Sequence, residues 1–428
     1  MAAAVLYPEY YITGDCPVFG TTVFQPLNLL LPVVAVSAAF VMVGRKIVKP
    51  ALLDGIVIMF MTFIVLRNIA GSGAFLSIKY LVFGLGIFYL AVFITTRSGS
   101  SLPGTVWVLA ALTAATALYG LAEYGLQSNI IFQQYIQESV REPVRGLHRI
   151  GSTLAHPVAY AAFLVQAAPF CVLAWARAGS RTGQTAAAFA TVVAGLALFF
   201  TYSKGSWMVA AILAGTTALL LIRHNRRLVV IIAGATLTTA LLLTAVFWQE
   251  INLETETRAE ESVAGRLYSW RAAAEGIREN PLLGVGLGKG TEEIGRHFDP
   301  EKRQFLYMLP VDNYYLSVFL ENGIAALALL LSAITVIIIK GVACIRSRGP
   351  QMDLTVAALL SIAAILMNAF TFDALLVWPN FMLFWLAAGI LYGISRKDLP
   401  PAPAKGASLR PACSHNQDQA ARNGKKET

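Results

Sequence analysis

Two polar segments of the chain carry cationic side chains, and one of them holds a cluster whose spacing suits the binding of an anion. In residues 123–152, Arg141, Arg145, His148 and Arg149 fall within nine residues. Arginine binds phosphate and carboxylate groups through paired N–H donors. Any one of these arginines could instead anchor the chain to lipid headgroups or pair with a neighbouring glutamate. For the cluster as a whole, we favour anion binding.

The second polar segment covers residues 249–311 and contains a predicted helix over residues 262–279. Its apolar residues recur at three- and four-residue spacing, which is the period of a helix. Arg271 and Arg278 are seven residues apart and lie nearly on one face of this helix, with Arg266 a turn earlier. Each of these arginines could simply pair with a glutamate of the same helix, as helical charges commonly do.

The elements that must position these residues are membrane-spanning helices. Of the 428 residues, 57% are hydrophobic and 13% are charged, whereas a soluble domain carries about 25% charged residues. This composition excludes a soluble enzyme and a disordered regulator. We predict an all-α polytopic membrane protein with eleven or twelve transmembrane helices and one large, partly helical outer loop. A bilayer core needs roughly 20 mostly apolar helical residues, and eleven stretches qualify: 27–44, 51–66, 74–95, 105–122, 153–176, 183–203, 205–222, 228–248, 312–339, 354–372 and 374–395.

The net charge of +9 indicates the orientation of the chain and not a nucleic-acid partner. Lysine and arginine in short loops remain on the cytoplasmic side of a membrane. Here they gather in alternate loops, after the first, third, fifth, seventh and ninth stretches, and again in the C-terminal tail. The C-terminus is therefore predicted to be cytoplasmic. With eleven helices the N-terminus lies outside; a twelfth element near the N-terminus would reverse that end.

The same pattern divides the chain into five parts. They are a surface or re-entrant segment over residues 1–26, eight helices within 27–248, the large loop 249–311, three helices within 312–395, and a disordered cytoplasmic tail over 396–428.

A glycine-rich segment, residues 281–290, follows the predicted helix of the large loop. Four glycines at alternate positions beside Lys289 suggest a nucleotide-binding loop. The spacing fits neither G-x-G-x-x-G nor G-x-x-x-x-G-K-[ST], and there is no strand-to-helix context. We predict a tight backbone turn packed against the membrane helices. Such a turn could still offer N–H groups to a phosphate.

Five segments carry distinctive combinations of residues. Two lie in the large loop, GRLYSWR at 265–271 and IRENPLLGVGLG at 277–288. The others are RIGSTLAHP at 149–157, TYSKGSW at 201–207 and DNYYLSVFLENG at 312–323. Together these segments resemble the bacterial O-antigen ligase and O-antigen polymerase superfamily. The resemblance covers about residues 140–330 by motif.

The resemblance implies glycan transfer on the periplasmic face of the bacterial inner membrane. The donor would be a glycan carried on undecaprenyl diphosphate. The acceptor would be lipid A-core for a ligase, or another lipid-linked repeat unit for a polymerase. The family acts without a metal ion or other cofactor, and it has a large periplasmic loop like the one predicted here.

Two positions depart from the ligase pattern. Asp312 stands where ligases typically carry histidine, although Asn313 and Gly323 fit, and Lys204 stands in the place of an arginine. Both substitutions keep the chemical type. We therefore favour a polymerase-type or exopolysaccharide enzyme, with an O-antigen ligase as the close alternative.

The reaction that the resemblance implies displaces a diphosphate by an acceptor hydroxyl. Positive charge must stabilise the leaving group, and a base can take the hydroxyl proton. We predict that Asp312, Arg266 and Arg271 are catalytic. The residues predicted to bind the diphosphate or the glycan are Arg145, Arg149, Lys204, Arg278 and Asn313.

Three residues are candidates for the base. Asp312 could equally cap the helix that follows it, and the two roles are compatible. Glu321 is a candidate because an acid inside a membrane helix is often functional. His297 is the only histidine in the large loop. The histidines share no metal-ligand spacing, so we predict no metal site.

A transporter or flippase of lipid-linked oligosaccharides is the alternative function. Transporters tend to have paired repeats and polar sites near the middle of the membrane. The sequence shows no obvious internal repeat, and its polar clusters gather on one predicted face. A channel or a structural scaffold is a third interpretation, but the sequence has no polar stripe of the kind that lines a pore.

Overall fold

The computed structural model describes seven stretches of the chain and a few single residues, and these stretches are helical. The described residues are 33, 34, 37, 52–71, 73–97, 102–131, 148–222, 265–296, 310–347, 349 and 351–397. Their helices are α1 (Leu52–Asn68), α2 (Ala74–Arg97), α3 (Leu102–Leu126), α4 (Pro157–Arg177), α5 (Arg181–Phe200), α6 (Lys204–Ile222), α7 (265–279), α8 (Gly290–Arg296), α9 (Tyr314–Ser347), α10 (Met352–Asn368) and α11 (Trp378–Lys397). No strand occurs in these residues. The predicted all-α, polytopic class is confirmed.

Within the part of the chain that the structure describes, six helices are long and apolar enough to cross a membrane by length and composition. They are α2, α3, α4, α5, α9 and α11. The helices α1 and α10, of 17 residues each, coincide with predicted stretches but are shorter than these six helices. The predicted stretch 228–248, and all but three residues of 27–44, lie outside the described residues. The exact number of spans and the five-part organisation therefore stay predictions.

The helix α11 packs along α2 through aromatic rings and a close backbone approach. Trp378 stacks on Tyr80 with ring centroids 4.8 Å apart, and Trp385 meets Phe88 edge to face at 6.0 Å. A Cβ atom at Gly389 would lie 2.4 Å from the carbonyl oxygen of Phe88. Small residues at such crossings let membrane helices approach each other closely. On either side of this pair, α1 packs on α9, and α4 packs on α3, α5 and α10.

One end of the helix bundle is held together by a buried acid. Asp54, in the first turn of α1, accepts a hydrogen bond from Tyr392 at 2.6 Å and one from Tyr89 at 3.2 Å. The guanidinium of Arg396 lies 2.5 Å from the same carboxylate. An acid inside a membrane protein needs such partners because an unpaired charge is strongly disfavoured there. This cluster joins α1, α2 and α11.

The helix α9 is broken at Gly323, where the glycine-rich segment lies against it. Gly323 has φ 77° and ψ 178°, and a Cβ there would lie 2.0 Å from the carbonyl oxygen of Leu282. The amide of Ile324 donates to the carbonyl of Pro281 at 3.0 Å, and the carbonyl of Leu320 accepts from Val285 at 2.9 Å. In a continuous helix these two groups of α9 would bond to each other. The predicted packing of the turn against the membrane helices is therefore observed.

Candidate functional site

Asp312 precedes α9 and faces α7 of the large loop. Its backbone is left-handed, with φ 53°, and its carboxylate Oδ2 lies 3.7 Å from Nε of Arg266. That distance is an ion-pair contact and is longer than a hydrogen bond. Nε of Arg266 is buried and has no hydrogen-bond partner within the described residues. A buried donor without a partner is unusual, so this pair has capacity left for a ligand.

Asn313 caps α9. Its side-chain oxygen accepts hydrogen bonds from the backbone amides of Tyr315 and Leu316, at 3.1 and 3.2 Å. This is the usual way in which the orphan amides of a first helical turn are satisfied. The capping alternative considered for Asp312 is therefore taken by its neighbour. The Asp312 carboxylate is left to interact with Arg266.

A second acid, Asp373, lies beneath Asp312 in the turn between α10 and α11. Its carboxylate accepts from the backbone amide of Asp312 at 3.2 Å and from the hydroxyl of Ser317. The side chain is almost completely buried. Sequence reasoning missed this residue. The signal that could have found it is its place as the acid that separates two long apolar stretches.

Burial sets the protonation of both acids. It raises the pKa of Asp312 to about 6, although Arg266 acts to lower it. Burial also raises the pKa of Asp373 to about 7; the hydrogen bond from Ser317 lowers this value and the nearby Asp312 raises it. Removing a carboxylate from water disfavours its charged form. Each of the two carboxyls therefore changes its protonation state close to neutral pH, which is the range useful to a general base.

The junction between α5 and α6 brings two predicted cations together. Arg149 donates from Nε to the carbonyl of Thr201 at 2.9 Å and from Nη2 to that of Tyr202 at 3.4 Å. Lys204 begins α6 and is exposed. Arg149, which precedes α4, is therefore bound to the turn that leads into Lys204.

One contact connects that junction, and another connects the start of α4, to the end of α10 and the turn that carries Asp373. The hydroxyl of Ser206 donates to the side-chain oxygen of Asn368 at 2.7 Å. His156, which caps α4, stacks on Phe372 with ring centroids 5.1 Å apart. The segments around residues 149–156, 201–206, 312–317 and 368–373 therefore meet at one end of the bundle.

Arg271 and Arg278 extend from α7 but do not join the acids. Both are exposed, and neither is within ion-pair distance of Asp312 or of any other described carboxylate. The buried side of α7 carries Ala272 and Ala273, which pack against Leu320 of α9. Of the three predicted cations on this helix, the structure brings Arg266 alone to the acid.

The remaining candidates fall into two groups. Arg145 and His297 lie outside the described residues. Glu321 is buried on α9, where its Oε1 accepts from the backbone amide of Gly290 at 3.1 Å. That bond holds the start of α8 against α9. Among the part of the chain that the structure describes, no three His, Cys, Asp or Glu side chains come together as metal ligands.

The sequence left open that the glycine-rich segment offers amides to a phosphate, but the amides of residues 284–290 have partners within the protein. The amides of residues 284–290 are each engaged by a group of the protein: the carbonyls of Asn280, Gly286, Leu320 and Glu321, and the side chains of Asn68 and Glu321. Through these hydrogen bonds the segment connects α9 to the end of α1. The rejection of a nucleotide loop agrees with this arrangement.

The candidate site residues that the structure describes lie mainly at the junction before α6, on α7 and at the start of α9. Residues 189–331 match the family described as O-antigen ligase. The O-antigen ligase match contains Lys204, the three arginines of α7, Asp312 and Asn313, while Arg149 and Asp373 lie outside it. The match confirms the resemblance to the O-antigen ligase and polymerase superfamily. The comparison with curated proteins gave no match.

The O-antigen ligase match also fixes the general class of activity. The chain is a multi-pass membrane protein with a glycosyl-transferring domain of the O-antigen ligase or polymerase type. Substrates of this family are, in general, lipid-linked glycans and acceptors of the lipid A-core type.

Proposed function

We propose that this protein transfers a glycan from undecaprenyl diphosphate to an acceptor hydroxyl at the periplasmic face of the bacterial inner membrane. The observation that carries the proposal is the Arg266–Asp312 pair. It combines a carboxyl whose pKa is about 6 with a buried guanidinium N–H that has no hydrogen-bond partner in the described chain. It lies within the O-antigen ligase match, at the entrance to α9.

In this mechanism the acceptor hydroxyl attacks the anomeric carbon of the donor glycan. The new glycosidic C–O bond forms as the C–O bond to the diphosphate breaks. Asp312 accepts the proton of the hydroxyl, and the undecaprenyl diphosphate leaves with the electrons of the broken bond. Asp373 fixes the backbone of Asp312 through its hydrogen bond to the amide.

The departing diphosphate gains negative charge, which cations must stabilise. Arg266 and Arg271 are assigned this role. Arg149, Lys204 and Arg278 bind the remainder of the diphosphate or the first sugars, and the predicted ligand Arg145 is assigned to the same group. Asn313 contributes indirectly, because the cap that it provides fixes the start of α9.

The acceptor decides the subtype. We favour a polymerase-type or exopolysaccharide enzyme, since Asp312 replaces the histidine typical of ligases, and we keep the O-antigen ligase as the second choice. A polymerase lengthens lipid-linked chains, whereas a ligase joins the glycan to lipid A-core. Chromatography of the products after incubation with both acceptors distinguishes these outcomes. The proposal places the C-terminal tail in the cytoplasm and the large loop in the periplasm.

The test uses the purified full-length protein with an undecaprenyl-diphosphate-linked oligosaccharide and an acceptor. The measured quantity is the carrier released. Arg266→Gln and Arg271→Gln should each lower the rate by about 10²–10³, the usual effect of removing one group that stabilises developing charge. The matched control is Arg296→Gln. Arg296 lies on α8 of the same loop, is 63% exposed and pairs with Glu293, so its loss should leave the rate unchanged.

Native rates in both Arg266→Gln and Arg271→Gln would contradict the assigned site. Transport is the competing function, and it has a different signature. A flippase would move intact lipid-linked oligosaccharide across a vesicle bilayer without releasing the carrier. Such movement, with no cleavage in the presence of acceptor, would overturn the proposed transfer.

A further inference from the structure

A cavity of about 190 Å³ lies between the α1–α2 turn and the glycine-rich segment. Its walls are formed by the end of α1, by Ala70, Gly71 and Gly73, and by residues 285–287 and 289. None of the residues assigned to glycan transfer lines it. The cavity is smaller than the roughly 300–1,000 Å³ typical of pockets for whole organic ligands. It therefore suits a single small group rather than an oligosaccharide.

The charge of this cavity is entirely positive. Arg67 and Lys289 line it, and no acid does. No carboxylate of the described residues lies within ion-pair distance of either cation. Two cations that share a concave site without a counter-charge raise the local concentration of anions.

The two cations are held differently. Arg67 donates from Nε to the carbonyl of Leu283 at 2.7 Å and from Nη2 to that of Gly284 at 2.6 Å. These bonds use two of its five N–H donors and fix the guanidinium at the wall. The amino group of Lys289 is exposed and makes no hydrogen bond or ion pair within the described chain. One cation is thus pre-organised, and the other is available to close over a ligand.

We propose that this cavity is an anion-binding site that takes a phosphate or diphosphate group, with Arg67 as the fixed contact and Lys289 as the mobile one. A forked guanidinium suits the oxygen geometry of phosphate, and a lysine adds a point charge. The group can belong to a soluble or glycolipid phosphate or to a membrane lipid headgroup. This inference does not depend on the proposed transfer reaction, because it uses other residues.

The experiment measures how fast individual lysines of the full-length protein are acylated by an amine-reactive reagent at low conversion. Mass spectrometry of the digested protein reports Lys289, with Lys340 on the far part of α9 as the internal control. The probe is inorganic diphosphate. At a concentration ten times its Kd, occupancy of the cavity should slow acylation of Lys289 about tenfold, by mass action. Acylation of Lys340 should not change.

Two variants test the charge without removing either cation. Ala70 is an exposed wall residue of the cavity. Ala70→Asp places a carboxylate beside the cations and should abolish protection of Lys289. Ala70→Asn has nearly the same size without the charge and should keep it. Arg67→Gln should also abolish protection, but it removes the bonds to Leu283 and Gly284 as well.

The source of the phosphate is tested with the protein in nanodiscs of one lipid or the other, first without diphosphate and then with diphosphate added. Protection of Lys289 in phosphatidylglycerol but not phosphatidylcholine identifies a lipid headgroup as an occupant. Protection by added diphosphate in both lipids identifies a soluble or glycolipid phosphate. If Lys289 is protected under neither condition, or to the same extent as Lys340, the site does not exist. Lys204 in the same digests reports the proposed transfer site separately, so failure of one proposal is distinguishable from failure of the other.

Discussion

Replacing Asp312 with asparagine should change stability and catalysis in opposite directions above pH 6. Burial raises the pKa of this carboxyl from 3.8 to about 6 in spite of Arg266. A group whose pKa is raised on folding stabilises the protein fully below its unfolded pKa, and that stability is lost as the pH rises through the folded pKa. The contribution of Asp312 to the stability of the native protein is therefore lost between about pH 4 and pH 6. Asparagine, which is neutral throughout, has no such pH dependence.

The size of this effect follows from the shift. A shift of about two pKa units corresponds to roughly 3 kcal/mol. This is an upper bound, since the Asp312 side chain keeps 26% of its exposure and water screens part of the effect. Relative to the native protein, Asp312→Asn should therefore gain up to ~3 kcal/mol in the free energy of unfolding on going from pH 4 to pH 7.

The assay is unfolding of the purified protein in detergent at pH 4 and pH 7, with turnover measured on the same preparations. Glu292→Gln, which replaces an exposed acid on α8, is the control for the loss of a carboxylate. Turnover of Asp312→Asn at pH 7 should fall by about 10²–10⁴, the usual contribution of a general base. If the variant were destabilised equally at both pH values, the carboxyl would be a structural contact and the reasoning would be refuted. Native turnover would refute its role as the base.

Two further predictions concern the neighbours of this site. Arg266→Gln removes the cation that lowers the pKa of Asp312. The acid limb of the rate–pH profile, expected near pH 6, should therefore move to higher pH. An unmoved limb would show that Arg266 does not act on the carboxyl that sets this limb. Gly323→Ala should destabilise the protein by about 2 kcal/mol or more, since its φ of 77° and the carbonyl of Leu282 exclude a Cβ. Thermal unfolding measures this, with Gly265→Ala, which meets nothing within 4 Å, as the control.

The transmembrane helices were the most predictable part of the fold. Long apolar stretches have few alternatives in a membrane, because every backbone group must be bonded internally. The predicted stretch 105–122 lies within α3, and the predicted stretch 205–222 is matched by α6. Helix ends were less predictable. The stretches 153–176 and 374–395 each begin with a short 3₁₀ turn before the α-helix starts, at Ser152–Leu154 and Ala374–Leu376.

The site was predictable by residue type and much less by contact. The sequence marks Arg266 and Asp312 as chemically suitable, but 45 intervening residues give no information on their distance. Asp373 was missed because its partner Asp312 is 61 residues away, as the hydrogen bond between them shows. Asn313 caps α9, whereas Asp312 was considered for this role from the sequence. The two residues are adjacent and both are common caps, so spacing alone does not choose between them.

The break in α9 has a consequence for exchanging parts between related proteins. Because the glycine-rich segment completes the hydrogen bonds that α9 lacks around Gly323, the loop and the span are one folding unit and not a scaffold with an interchangeable insert. A chimera that imported residues 265–296 without residues 314–324 would put a foreign segment against the break in α9. Each peptide group left there without its partner and away from water would cost about 1–3 kcal/mol. Specificity carried by this loop can therefore be transplanted only together with the first three turns of the helix that follows it.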